Sequence, residues 1–245
     1  MALPVQKRLA MSEAQISADD GGQEHGGQEH GGQEQGGGRR AQGVADRRRR
    51  LVRAAAELLA ERDDGAFSMP ELAARAGLSL ATPYNLFGSK AGVLARLLEV
   101  QMRGFQRDSD WMAGLAPAAR ILGVVERLVA VYARDPRFFR NLWKAFYGLA
   151  PGEHETMPAS TASHLVEPLV AGLVADGALD RAVPPAEVAA ALTRIFGTAF
   201  EEWAAKDWPV ARLARELRWG FGLVFLGLLS ADDRAALLTE LDATR

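Results

Sequence analysis

From Arg47 to the end of the chain, apolar residues recur at three- and four-residue intervals and nowhere alternate in the two-residue rhythm of a half-buried strand. That property restricts the fold to packed helices, an all-α class. The first periodic run sets Leu51, Ala54, Ala55, Leu58 and Leu59 on one stripe, with arginines and acids opposite. Later helices are expected at about residues 118–133, 137–149, 160–175, 185–206, 210–229 and 231–241. Between them stand Asp135-Pro136, "APGEHETMP", "ADGALDRAVPP" and "KDWP", where proline, glycine and acids break the pattern. With 245 residues, 48% of them hydrophobic, the chain is long enough for one or two domains with a real core.

Composition removes several functions. The sequence contains no cysteine, so disulfides, thiolate metal sites and a cysteine nucleophile are all excluded, and a reducing cytoplasm fits. The longest strongly apolar run, "GFGLVFLGLL", is about half of what a bilayer-spanning helix requires. The N-terminus has no signal-peptide pattern, so a soluble cytoplasmic protein with no membrane partner is expected. Residues 21–38 read "GGQEHGGQEHGGQEQGGG", a polar repeat with nothing to bury, and residues 1–43 are expected to form a disordered leader. Its His25 and His30 make a poor metal site, two ligands on a flexible chain. There is no P-loop, no dinucleotide fingerprint after a strand and no zincin helix, and only His154 and His164 fall in the folded part. Neither an enzyme, a cofactor nor a metal site is expected.

Near the N-terminus the local signals are denser. In "SMPELAARAG", Ser68 is placed to cap a helix, Glu71 to close a capping box, Pro70 to sit harmlessly in the first turn and Gly77 to stop it. Ser79 then starts a short segment reaching about Leu86, and Ser89 starts another that carries Val93, Leu94, Leu97 and Leu98 on one stripe. Two short helices around a glycine turn make a helix-turn-helix. With Ser79 as cap, Pro83 forfeits only the first intrahelical hydrogen bond, a loss that a helix of one or two turns tolerates. Residues 44–103 hold ten Lys/Arg against seven Asp/Glu, whereas residues 104–245 hold fifteen against eighteen. A basic unit thus precedes an acidic body.

An arginine-rich first helix followed by "ELAARAGLSLATPYNLFGSKAGVL", with Tyr84, Phe87 and Lys90 at the family's spacing, resembles the TetR (tetracycline-repressor) family of transcriptional regulators over about residues 47–98. "DGALDRAVPPAEVAAALTRIFGTAF" is more loosely similar to the penultimate long helix of that family's ligand-binding domain and the loop before it. Pro83 and Ala91 depart from the pattern: a helix former and an acid are more usual there. The resemblance implies a DNA-binding domain over residues 44–95 and an effector-binding and dimerisation domain over residues 96–245.

On this reading Arg47, Arg48, Arg49 and Arg50 meet phosphate or the minor groove. Cations at a helix N-terminus oppose the macrodipole and a polyanion relieves that opposition, although a solvated basic run is the alternative. Ser79, Leu80, Ala81, Thr82, Tyr84 and Asn85 supply hydroxyls, an amide and small apolar groups suited to base edges and thymine methyls. For Tyr84 the resemblance implies a phosphate contact, against a core position with its hydroxyl at the rim, while Phe87 suits the core. Lys90 together with a helix N-terminus can clamp one phosphate. Ser68 is either a cap alone or a further phosphate ligand.

"FFRNLWKAFYG" concentrates aromatics, with Phe139, Trp143, Phe146 and Tyr147 at helical spacings. They suit a core or an apolar effector pocket, for which Asn141, His164 and Arg194 are polar candidates. Phe196, Phe200 and Trp203, then Trp219, Leu223 and Leu226, follow the same spacing, and Phe221, Phe225 and Leu228 cover the other side of the second helix. A helix apolar on two sides needs two partners. The resemblance makes the second partner the same helix pair of another subunit, a homodimer closed by a four-helix bundle. The expected protein is a repressor that binds a palindromic double-stranded DNA operator and is released by a small apolar or amphipathic effector. An activator answering to a protein partner, and a hydrophobic-ligand carrier without specific DNA binding, stay open.

Overall fold

A computed structural model of the protein describes residues 34–106, 110–149, 159–179 and 183–243. His25, His30 and His154, along with residues 1–33 of the expected leader, lie outside the described residues. Within them are ten α-helices, and the all-α class expected from the periodicity is what they form. An isolated antiparallel bridge, Leu179 to Leu229, is the single β-type pairing among the described residues.

The first four helices build the N-terminal unit. Helix α1 (Glu34–Glu61) buries Leu51, Ala55 and Leu59 completely. It begins at Glu34, not after residue 43, so the last part of the expected leader is its first three turns. Gly36, Gly37 and Gly38 fall in the first turn and a half of the helix, the end at which helix breakers cost least. Helix α2 (Met69–Arg75) starts at the capping box foreseen: Ser68 Oγ accepts from the Glu71 N–H at 3.3 Å, and the Glu71 carboxylate accepts from the Ser68 N–H at 2.8 Å. Helix α3 (Ala81–Phe87) buries Pro83. The Ser79 carbonyl, which the missing Pro83 N–H would have served, accepts instead from the Thr82 N–H at 3.0 Å, so the proline leaves no acceptor stranded. Ser89 caps helix α4 (Lys90–Gln106), its Oγ accepting from the Gly92 N–H at 3.2 Å.

Helix α4 runs unbroken through residue 95, the boundary expected between the two units. It packs on α1 and α3, and also on the larger bundle through α5 (Pro117–Ala133), α6 (Pro136–Tyr147) and α7 (Ala159–Ala175). Helices α8 (Pro185–Ala205), α9 (Val210–Leu226) and α10 (Ala231–Asp242) complete that bundle, with α8 set against α6, α7 and α9.

An aromatic centre holds the bundle together. Tyr132 of α5 lies 4.4 Å from both the Phe139 and Phe200 rings, and Trp143 stacks on Phe200 at 5.2 Å. Phe196, Phe200 and Trp203, expected at a subunit interface, are fully buried in this centre. They cannot also contact another subunit, because three large rings on one stripe of α8 are what closes the protomer's own core. Phe139, Trp143 and Phe146, expected to line a pocket, are likewise buried: Phe139 packs on Tyr132 and Phe138, and Trp143 on Phe146 and on Phe196 of α8.

Candidate nucleic-acid interface

The outer face of α3 displays Leu80, Ala81, Tyr84 and Asn85, all exposed, beside exposed Ser79 and half-buried Thr82. Two of these are large groups left in solvent, Leu80 at 55% and Tyr84 at 48%, which is where a side chain belongs if it meets a second molecule. The Ser79 and Thr82 hydroxyls bond each other at 2.8 Å and so order the start of the face. Leu86 and Phe87 turn inward to the core. The six residues expected to reach base edges therefore gather at the N-terminal end of one short helix, Ser79 and Leu80 just before it and Ala81, Thr82, Tyr84 and Asn85 on it, while Pro83 is buried.

The four expected arginines divide into three environments. Arg47 and Arg48 are exposed and have no partner among the described residues. Arg49 pairs with Asp46 at 3.5 Å. Arg50 reaches the backbone carbonyls of Ala76 and Gly77, a role its place in a basic run does not reveal. Lys90 sits with its ammonium 4.7 Å from the centre of the Phe67 ring, at the start of α4.

Ser68 is committed to the capping box. Its backbone N–H, then its hydroxyl, then Arg62 hold the Glu71 carboxyl down to about 2, and Arg62 closes the group with a 2.6 Å bond to Glu71 and a 2.8 Å bond to the Ala66 carbonyl. Sequence reasoning missed Arg62, whose only cue is a cation in the loop before an acid-capped helix. A two-toothed pair, Arg75 to Glu61 at 2.7 and 2.8 Å, ties α2 back to α1 and holds the Glu61 carboxyl below its ordinary value.

Behind this unit, α6 joins it to the helical bundle. Asn141, considered from sequence as a pocket group, is buried and bonded to carbonyls at the end of α1. Arg137 pairs with Asp63 at 2.7 Å. On the opposite side Arg140 donates to the Trp208 carbonyl at 2.7 Å, and Arg140 and Lys144 approach Asp207 at 3.3 and 3.4 Å, pinning the turn between α8 and α9.

The remaining effector candidates lie apart. Tyr147, half-buried, donates its hydroxyl to the Gly197 carbonyl at 2.8 Å, and burial pushes the phenol well above its ordinary value. Arg194 borders a groove of about 630 Å³ between α7 and α8, with Glu167, Val170, Ala189 and Thr193. His164 stands on α7, its side chain outside the described part. Of the expected interface residues, Trp219 and Leu226 are half-buried and Leu223 is exposed on the outer face of α9. Among the described residues no group of three or more His, Asp or Glu could hold a metal ion, and no helix is long and apolar enough to cross a membrane.

Residues 51–97 match the family model of bacterial regulatory proteins, tetR family. Among solved structures, FadR of Thermus thermophilus, a TetR family transcriptional repressor in complex with lauroyl-CoA, is 21% identical. The match covers 75% of this chain and 95% of that one with a TM-score of 0.60. NalD, the secondary repressor of the MexAB-OprM multidrug efflux pump in Pseudomonas aeruginosa, is 17% identical over 76% of this chain and 96% of its own, with a TM-score of 0.52. A TetR transcriptional regulator from Rhodococcus sp. RHA1 is 17% identical over 73% and 95%, at 0.51. At these identities the likeness is one of fold. No curated protein matches the chain.

Proposed function

We propose, from the place in the tetR family of bacterial regulatory proteins that residues 51–97 give this DNA-binding chain, that it is a homodimeric, ligand-responsive repressor of a palindromic operator. The observation that carries this reading is the face of α3. Tyr84, Asn85, Leu80 and Ala81 stand exposed on one side of a helix whose other side is fixed to the core by Pro83, with unpartnered Arg47 and Arg48 on α1 to engage phosphate. Two such units related by a two-fold axis would enter successive major grooves.

For the dimer contact, exposed Leu223 with Trp219 and Leu226 supports the outer face of α9 together with α8. For release, α4 is the natural lever, since it packs on α1 and α3 at one side and on α5, α6 and α7 at the other. An effector that favours one packing of the bundle would move α4 and change the spacing of the two α3 helices, a coupling of typically ~1 to 3 kcal/mol. An apolar or amphipathic effector is supported by the apolar bundle and by the lauroyl-CoA complex of the Thermus thermophilus relative. Arg194, on the groove between α7 and α8, is then the cation placed to hold an acidic group.

Fluorescence anisotropy on duplexes from the protein's own promoter region, against a scrambled duplex and across a salt series, tests the reading. A preference of roughly a thousandfold or more for a palindrome, falling steeply with salt, is expected. Equal weak binding to both duplexes would remove operator recognition by the free protein.

A further inference from the structure

Arg50 closes the arginine run just before residues 51–97 and is itself exposed, yet its guanidinium is bonded to the protein's own backbone. Nη2 donates to the Ala76 carbonyl at 2.6 Å and to the Gly77 carbonyl at 3.0 Å. These carbonyls lie at the C-terminal end of α2, where a helix leaves acceptors over and where a cation is favoured by the dipole. The turn's own backbone bonds, Gly77 N–H to Ala74 and Leu78 N–H to Ala73, use other acceptors. Gly77 is also where the chain leaves α2 for α3, two residues before Ser79. One side chain of α1 therefore holds the segment that aims the exposed face of α3.

We propose that Arg50 is a positioning residue for operator recognition: it fixes the helix-turn-helix to α1, so that the arginine arm and α3 meet the duplex at one set distance and angle. Its charge is engaged within the protein, unlike those of Arg47 and Arg48. Charge-assisted bonds of this length are the stronger class, and reaching both carbonyls depends on the arginine's length. A lysine ammonium ends one atom earlier and has no planar fork. The inference rests on the operator-binding reading above, and one of its two tests does not need DNA.

The full chain would be compared with Arg50→Gln, Arg50→Lys and Arg48→Gln. In the free protein, amide hydrogen exchange over residues 77–82 should rise about tenfold in both Arg50 variants while the melting temperature stays close to wild type. On DNA, both Arg50 variants should lose about tenfold in preference for the operator over the scrambled duplex, with the salt slope on scrambled DNA unchanged. Arg48→Gln, present twice in the homodimer, should instead lower that slope by about 1.8, one phosphate contact per subunit, and leave the preference in place. Arg50→Lys behaving as wild type while Arg50→Gln copies Arg48→Gln would overturn the proposal and make Arg50 a phosphate contact. Unchanged exchange at the turn would overturn it as well, whatever the DNA result. A wild type with no operator preference would sink the operator reading, and the exchange comparison would still decide the role of Arg50. If Arg50→Gln does not fold, Arg50→Lys carries both comparisons.

Discussion

The side-chain amide of Asn141 donates to the backbone carbonyl of Leu59 at 2.9 Å. Its second bond, to the Arg62 carbonyl at 2.6 Å, closes the end of α1 from the outside. Carbonyls in the last turn of a helix have no intrahelical donor, so here a residue of the bundle completes a helix of the N-terminal unit. The same α6 carries Phe139, Trp143 and Phe146 in the aromatic centre. Packing in the bundle and the seating of α1 are thereby linked through one short, stiff element.

Replacing Asn141 by leucine keeps the volume and removes both donors, leaving buried carbonyls without partners. The expected loss is about 1 to 3 kcal/mol of unfolding free energy, read from urea denaturation. A loss under about 0.5 kcal/mol would mean that the α1 terminus finds another donor, and that the link between α6 and α1 is apolar packing alone.

Gly65 and Gly177 make a paired test of the same contact. Both adopt left-handed backbone, φ +67° and +71°, so alanine at either should cost about 1 kcal/mol or slightly more in conformation. At Gly177 an added Cβ meets nothing within 4 Å, whereas at Gly65 it would stand 2.3 Å from the Asn141 carbonyl oxygen. That oxygen belongs to backbone, and moving it drags the side-chain amide away from α1. Gly65→Ala should therefore lower the melting temperature at least twice as far as Gly177→Ala, and equal shifts would show that α6 rides freely on this loop.

Acid should weaken α2 through Glu71. Its folded value, about 2, lies below the ordinary 4.5 because of the Ser68 N–H and hydroxyl and then Arg62. A depressed carboxylate stabilises the fold above its unfolded value, and the contribution disappears as pH falls from about 4.5 toward 2. Melting curves of wild type and Glu71→Gln should thus converge over that window, with the wild type more stable above it. Parallel curves down to pH 2 would show that the carboxylate makes no net difference to the cap.

What the sequence revealed follows from the range of the forces involved. Helix starts at Ser68 and Ser89 and the stop at Gly77 were legible because caps act within four residues, whereas Ser79 does not cap α3: Leu80 holds the N-cap position with no side-chain bond, and the Ser79 hydroxyl bonds the Thr82 hydroxyl instead. The tolerance of Pro83 in so short a helix and the exposed start of α3 followed from the same local rules, whereas the burial of Pro83 did not. The fates of Phe196, Phe200 and Trp203 did not: a stripe of rings at helical spacing says that a face is buried and not what buries it, and only the three-dimensional arrangement assigns them to Tyr132 and Trp143 of the same protomer. Arg50 and Asn141 were invisible for a related reason. Their partners, Ala76 and Leu59, are 26 and 82 residues away and are backbone carbonyls, which carry no residue signature. The early start of α1 ran against its glycines, because intrinsic propensity is a weak guide where a long helix is already nucleated downstream.

The proposed dimer rests on the face that the protomer leaves open, and Leu223 is its sharpest probe. It is 61% exposed and, with Trp219, Ile195 and Thr198, borders a groove of about 460 Å³ between α8 and α9. Leu223→Arg adds charge where the fold makes no demand, so far-UV circular dichroism and the unfolding curve of dilute protein should stay as in wild type. If α8 and α9 meet their copies across a two-fold axis, each substitution is present twice in the interface, and burying two like charges should raise the dimer dissociation constant by at least about a hundredfold. Sedimentation velocity then reports monomer at concentrations where wild type is dimeric, and operator affinity falls because one helix-turn-helix reads only one half-site. Phe200→Ala provides the contrast: the ring is wholly buried, so its loss should cost about 3 to 5 kcal/mol of folding stability. A Leu223→Arg protein that remains dimeric would move the subunit contact off this face and leave the groove to some other role.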